Sequence, residues 1–194
     1  MKKIGILGGT FNPPHLGHLL IGNEVKHALG LDEVRLMPNA APPHKTAPGD
    51  ATAYQRLHMA NLAAMDVEGL TVSSYEVERG GISYTYDTVR ELIEIEPDVE
   101  FYFIIGGDMI DALPTWYRIE ELVKLVKFVG VNRPGYEGQT EFPLTTVTIP
   151  QIDLSSTLIR NRFEEGDTVR FLLAPAVEAF IRKEGLYGSR KTEK

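Results

Sequence analysis

The sequence predicts an α/β protein built on a doubly wound, mainly parallel sheet with helices on both faces. Three observations lead there. Short apolar runs at Lys3 to Leu7, Val34 to Met37, Phe101 to Ile105 and Phe128 to Val131 alternate with longer stretches whose apolar residues recur at helical spacing. Such alternation joins parallel strands through crossover helices. The run Phe101-Tyr102-Phe103-Ile104-Ile105 carries no polar alternation, as expected of a central strand covered on both faces. Glycine pairs, Gly8-Gly9 and Gly106-Gly107, directly follow two of these runs, at the sheet edge where open α/β proteins place their ligands.

A chain of 194 residues is expected to form one domain over 1–194, large enough to remove roughly 70% of its unfolded surface from water. Its net charge of −7 argues against a nucleic-acid or anionic-membrane surface, both of which reward clustered lysine and arginine. Small-molecule substrates are expected, met by individual basic groups and helix ends. The absence of cysteine removes disulfide and thiolate chemistry. The apolar run after Met1-Lys2-Lys3 is broken at Gly5 and Gly8, too short for a signal-peptide core, and nothing approaches a membrane span. A cytoplasmic protein is expected. Its oligomeric state is left open, a homodimer being one candidate.

Taken in order, the first strand leads through Gly8-Gly9-Thr10-Phe11-Asn12-Pro13-Pro14 into a helix from His15 to Leu29, stopped by Gly30. Asn12 is the expected N-cap, with Pro13 or Pro14 in the first turn, where a missing amide costs nothing. Gly8 and Gly9 allow unusual dihedrals and a close approach of ligand to backbone. Free amides and the positive end of the helix dipole would favour a phosphate there. His15 and His18 project from one helix face, roughly 5–6 Å apart at Cβ, and so can address the same phosphate. Each feature has an ordinary reading too, the glycines as a turn and a lone histidine as structure. A His-x-x-His pair is also half of a metal site, but the chain has no cysteine and its three other histidines form no second pair. Neither a Walker loop nor a Gly-x-Gly-x-x-Gly turn is present.

After the Val34 to Met37 strand, the prolines of Pro38 to Lys45 stiffen a segment carrying His44 and Lys45, either a surface connection or a binding loop. The next helix is read with Tyr54, Leu57, Ala60, Asn61 and Ala64 on its apolar side, leaving Arg56 and His58 solvated or at the edge. Val72 and Ser74 to Val77 read as strand, with Glu76 and Glu78 as surface charges. Ser83 to Thr88 enters a helix through Val89, Leu92 and Ile93, capped by Thr85 or Asp87 and ended before Pro97. The amides of that helix N-terminus could bind a carboxylate.

Asp108, after the central strand, reads as a helix cap. Trp116, the only tryptophan, follows Pro114 in a connection, where packing and ring stacking are both open to it. A helix at Ile119 to Val126 and a strand at Phe128 to Val131 leave Arg133 at the strand's end. Gly135 to Pro143 reads as a polar loop, and Val147 to Ile149 as the last strand. Ser155, Ser156 or Thr157 caps a helix through Ile159 to Phe163, with Arg160 one turn in. A closing helix, Pro175 to Lys183, stops at Gly185, with Val177, Phe180 and Ile181 as packing residues, and the tail from Ser189 is expected to be loose.

Two of these segments carry a resemblance. Gly8-Gly9-Thr10-Phe11-Asn12-Pro13-Pro14-His15-Leu16-Gly17-His18 resembles the Gly-Gly-Thr-Phe-Asp-Pro-x-His-x-Gly-His motif of the nucleotidylyltransferases related to class I aminoacyl-tRNA synthetases, with Asn12 in place of aspartate. Leu154-Ser155-Ser156-Thr157-Leu158-Ile159-Arg160 is similar to their second motif, Ile-Ser-Ser-Thr-x-Ile-Arg. Over nearly its full length the chain is most similar to the bacterial branch that acts on nicotinate mononucleotide.

The resemblance implies a Rossmann-like fold and transfer of the adenylyl group of ATP to nicotinate mononucleotide, giving nicotinate adenine dinucleotide and pyrophosphate in NAD biosynthesis. It implies an ATP site at Gly8, Gly9, Thr10, Phe11, His15, His18, Gly106, Asp108, Ser155, Ser156, Thr157 and Arg160, to which Arg133 is added. His44, Lys45, Tyr84, Thr85, Trp116 and Tyr117 would hold the mononucleotide, with Trp116 stacked on its ring. His15, His18, Lys45 and Arg160 would carry the catalysis. Mg2+ is expected on substrate phosphates rather than in a cage of carboxylates, given its reluctance to dehydrate. A phosphopantetheine adenylyltransferase shares the first motif but fits the Pro-Pro-His-Lys and Trp116 segments less well. A nucleotide-sensing module without turnover is the alternative of a different class.

Overall fold

The computed structural model describes residues 1–41, 51–132, 140–150 and 152–189. Six strands, β1 (Lys2–Gly9), β2 (Glu33–Pro38), β3 (Leu70–Val72), β4 (Val99–Gly106), β5 (Lys127–Asn132) and β6 (Leu144–Thr148), form one parallel sheet in the order β3-β2-β1-β4-β5-β6. The chain therefore runs outward from β1 to one edge, returns to pair β4 against the other side of β1, and continues to the opposite edge. Between β1 and β4 the winding reverses, which opens a crevice at the carboxyl ends of the strands.

The sheet is covered on both faces. One core layer joins Leu36, Ile104 and Val129 of the sheet to Val25 of α1 (Leu16–Leu29), Met59 of α2 (Ala53–Ala64), Ile159 of α7 (Ser156–Glu165) and Ile181 of α8 (Pro175–Glu184). The other joins Ile4, Ile6, Phe103 and Phe128 to Val89 and Leu92 of α4 (Thr85–Ile95) and Leu122 of α6 (Ile119–Leu125). Phe101 to Ile105 are all buried, so β4 is the central strand that its unbroken apolar run predicts. Gly30 ends α1 in the left-handed conformation at φ 60°, and Gly185 ends α8 in the same way at φ 69°.

Several local expectations change. Gly8 and Gly9 lie within β1 with ordinary dihedrals, and the positive φ of the turn, 50°, falls on Phe11. The glycines answer to packing instead: a Cβ on Gly8 would stand 3.3 Å from the Phe103 ring, and one on Gly9 3.2 Å from that of Phe11. Helix α1 starts at Leu16 with His15 as its N-cap, not at Asn12. Asn12 and Pro13 each precede a proline, which pushes both away from helical dihedrals.

Ser74 to Val77 is not strand. Here α3 (Tyr75–Arg79) lies alongside α4, held by Thr88 Oγ1 donating to Glu76 at 2.8 Å and Tyr75 OH donating to Glu91 at 2.7 Å. A tyrosine and a valine two apart fit a strand, but Val77 alone is buried. Glu76 is accordingly no surface charge, and burial raises its pKa above the ordinary carboxylate value. The cap of α4 is Tyr84 rather than Thr85 or Asp87, with no side-chain hydrogen bond. In α2 the buried face is Arg56, Met59, Ala60, Ala63 and Ala64, turned from the one expected, while Tyr54 and Asn61 are exposed. Ser189 is buried and donates to Ile181 O at 3.1 Å, so the chain stays packed through that residue.

Candidate active site

The segment between β1 and α1 is tied down from three directions. Arg160 Nη1 donates to Asn12 O at 2.8 Å, Ser156 Oγ donates to Pro13 O at 2.8 Å, and Tyr187 OH donates to Asn12 Oδ1 at 2.6 Å. The two motif segments, from opposite ends of the chain, are thereby locked side by side. Asn12 is thus an acceptor for the C-terminal region rather than a helix cap.

Within this frame His15 is buried and its ring stacks on that of His18 at 3.8 Å and 26°. The His18 ring also meets the Phe11 ring edge-on at 4.9 Å. The backbone amide of His15 donates to His18 Nδ1 at 3.1 Å, so a neutral His18 carries its proton on Nε2. Burial, and secondarily the charge of His15, push the pKa of His18 well below 6.5. At neutral pH this residue is a neutral hydrogen-bond donor.

The expected free amides at the start of α1 are partly engaged. That of His15 serves His18, and that of Leu16 donates to Leu172 O at 3.0 Å. The three hydroxyls of the second motif have partners as well. Ser155 Oγ caps α7 by accepting from Leu158 N at 3.2 Å, Ser156 holds Pro13 O, and Thr157 Oγ1 accepts from Arg160 Nη2 at 3.2 Å.

His15, His18, Ser155 and Ser156 line one cavity of about 290 Å3, completed by Gly17, Leu20, Ile21, Ile149, Pro150, Ile152 and Leu154. Of the last four, none was named as a site residue from the sequence, Ile149 being read as strand and Leu154 only as the start of the second motif. Their apolar character suits the flat face of a base, but nothing in a short apolar run distinguishes a ligand wall from a core. A second cavity, about 260 Å3, is lined by Ser83, Tyr84, Thr85, Thr115, Trp116 and Tyr117. The sequence grouped Tyr84, Thr85, Trp116 and Tyr117 for one ligand, and the fold brings these four together. Trp116 also packs edge-on against Phe103 and Phe128, each with ring centroids 6.0 Å away, so it is a core residue on one side. Tyr84 and Tyr117 are about half exposed, and their rings lie 4.8 Å apart.

Gly106 ends β4 and caps α5 (Gly107–Ala112), which follows without a loop; Asp108 lies in its first turn and is not the cap. His44, Lys45 and Arg133 lie outside the described residues. Among the described residues no group of three histidine or carboxylate side chains is placed to hold a metal ion. None of the described helices is long and apolar enough to cross a membrane.

The most consequential residue that sequence reasoning misplaced is Arg56. It is not solvated but 1% exposed, donating to Thr10 O at 2.7 Å, to Asn39 Oδ1 at 3.1 Å and O at 2.7 Å, and to Ala40 O at 3.0 Å. The helical register of Met59, Ala60, Ala63 and Ala64 includes position 56, so its burial was visible in the spacing once that face is chosen.

Residues 6–162 match the cytidylyltransferase-like family. The chain belongs to that family. Among its relatives, a protein of Bacillus cereus described as a probable nicotinate-nucleotide adenylyltransferase is 52% identical over 97% of this chain and 100% of its own. One of Bacillus anthracis with the same description has the same identity and coverage. The fold is also that of the Plasmodium falciparum nicotinic acid mononucleotide adenylyltransferase complexed with NaAD, which is 20% identical, with a TM-score of 0.82 over 99% of this chain and 100% of that one. These relatives bear the description that the resemblance over nearly the full length implies. In this cytidylyltransferase-like chain, the two cavities open on a sheet whose winding reverses between β1 and β4.

Proposed function

We propose that this chain transfers the adenylyl group of ATP to nicotinate mononucleotide, releasing pyrophosphate and forming nicotinate adenine dinucleotide, as one domain acting in the cytoplasm. The observation that carries this reading is the convergence of His15, His18, Ser155 and Ser156 on one cavity in a chain whose full-length relatives are described as adenylyltransferases of this substrate.

The acceptor phosphate is already ionised at neutral pH, so no general base is needed. Catalysis then consists of aligning that phosphate with the α-phosphorus of ATP and stabilising charge on the phosphoryl oxygens and departing pyrophosphate. The Nε2–H of His18 donates to the α-phosphate, in keeping with its neutral state. Arg160, held by Asn12 O and Thr157, faces the pyrophosphate with Ser155 to Thr157. Lys45 and His44 complete the mononucleotide side. Mg2+ would be carried by the phosphates of ATP and would supply charge neutralisation there. Trp116 stacks on the pyridine ring, and the amides at Thr85 meet its carboxylate.

The test is pyrophosphate release from ATP and magnesium with nicotinate mononucleotide, nicotinamide mononucleotide or phosphopantetheine supplied in parallel. Release with the first and much less with the second is the expected result. Equal use of both mononucleotides would discard the carboxylate account, and release only with phosphopantetheine, or none with any acceptor, would overturn the proposed reaction.

A further inference from the structure

Arg56 is among the largest fully buried side chains, and among the described residues no carboxylate lies within ion-pair distance of it. Its charge is met by hydrogen bonds to the carbonyls of Thr10, Asn39 and Ala40 and to the side-chain amide of Asn39, with Tyr187 also favouring the charged form. A buried cation without a counter-ion is an expensive way to stabilise a fold, since desolvation is repaid only through its hydrogen bonds. What those bonds accomplish is specific to place. Thr10 lies in the segment leading from β1 to His15 and His18, and Asn39 and Ala40 begin the segment that follows β2 toward His44 and Lys45.

The two segments leave adjacent parallel strands in register at Gly9 and Pro38, and Asn39 N donates to Gly9 O at 3.1 Å. Arg56 reaches both from beneath. Each trans peptide points its N–H opposite to its C=O. A guanidinium holding the carbonyls of Thr10, Asn39 and Ala40 therefore turns the amides of Phe11, Ala40 and Ala41 away from Arg56. We propose that Arg56 is a positioning residue that locks these two segments into one register, so that the ATP side and the mononucleotide side of the site are organised together. This rests on the two-substrate reading above. Its prediction is distinctive because one buried residue, touching neither substrate, governs the binding of both. The two Nη groups of the fork serve two segments at once while Nε is left without a partner, and an ammonium group cannot reproduce that geometry in full.

The experiment compares Arg56→Met and Arg56→Lys with the parent enzyme, with folding of each checked by circular dichroism. Steady-state KM is measured for each substrate with the other saturating, and hydrogen exchange is measured at the Asn39 amide without substrate. With Arg56→Met, both KM values are expected to rise by about tenfold with a smaller change in kcat, Arg56→Lys recovering part of the loss. Exchange at Asn39 is expected to accelerate in the same order. Unchanged KM values with less folded enzyme would make Arg56 a core residue only, and a rise confined to one substrate would refute the coupling. Should Arg56→Met not fold, Asn39→Ala, which removes one acceptor and spares the cation, is expected to show the same two-sided rise at smaller size, and no rise in either KM would overturn the proposal. A parent enzyme without turnover on these substrates would count against the proposed reaction alone. The exchange rate at Asn39 would then decide the role of Arg56, faster exchange supporting it and an unchanged rate overturning it.

Discussion

The backbone amide of His15 donates to Nδ1 of His18 at 3.1 Å while their rings stack at 3.8 Å, so one residue fixes the tautomer of the other and adds to the burial that keeps it neutral. Nδ1 is committed as an acceptor, which leaves Nε2–H as the only donor of a neutral His18. Protonating Nδ1 would break that hydrogen bond in a half-buried position beside a second imidazole. Burial and the neighbour's charge push the pKa down accordingly.

His18→Ala is expected to lower kcat by about two to three decades, the scale for losing one donor aimed at developing charge. The measurement is pyrophosphate release at saturating substrates. A variant within about twofold of the parent would remove His18 from the mechanism.

The same relationship predicts a pH dependence of stability. The folded pKa of His18 lies below its unfolded value of 6.5, so between the two the unfolded chain binds the extra proton. Stability therefore rises with pH through that window, by at most about 1.4 kcal/mol per pH unit for one proton, and is lost progressively as pH falls below 6.5. Glu76, with its raised pKa, contributes the opposite slope just above the ordinary carboxylate range. Comparing urea unfolding of the parent and His18→Gln cancels that contribution. An unchanged acid-side slope in the variant would refute the assignment.

Trp116→Ala is expected to raise KM for the mononucleotide with little change in kcat, because stacking is made equally in ground and transition states. Since the ring also packs on Phe103 and Phe128, stability should fall too, by less than the roughly 3–5 kcal/mol of a fully buried tryptophan. A lowered kcat at unchanged KM would contradict the stacking role.

Thr85 gives a clean test of carboxylate choice because it is the first residue of α4, where proline is tolerated. Tyr84 before it is extended, at φ −94° and ψ 133°, as a residue preceding proline must be. Thr85→Pro should therefore fold while losing one amide. Preference for nicotinate over nicotinamide mononucleotide is expected to drop about ten- to a hundredfold, the value of a hydrogen bond to a charged group. Full retention of the preference would show that another group reads the carboxylate.

The sheet was legible because apolar runs have one meaning when they are long and unbroken, as at Phe101 to Ile105. Both motifs were legible as local patterns, and the fold joined them through contacts no spacing reveals, such as Tyr187 to Asn12 and Ser156 to Pro13. Ser74 to Val77 was misread because four residues hold too little periodicity to separate strand from one helical turn. Arg56 was misread for a different reason. An arginine is normally solvated, and only the carbonyls that converge on it, from segments distant in sequence, make its burial affordable.

Gly5 offers a test of the sheet that carries the site. It lies in β1 between β2 and β4, and a Cβ there would stand 2.9 Å from Val34 Cγ2, 3.0 Å from Leu31 Cδ1 and 3.1 Å from Ile104 Cδ1. Three neighbours converge on the same point, and Val34 is β-branched within a strand, so it has little freedom to withdraw. Gly5→Ala is expected to destabilise the protein by about 1–3 kcal/mol through overpacking, read as a shift in the denaturation midpoint at constant slope. Removing the nearest obstacle should relieve part of that strain. Gly5→Ala combined with Val34→Ala is therefore expected to cost less than the sum of the two single changes, since residues in contact are not additive. Strict additivity would place the cost elsewhere, in the strand backbone itself.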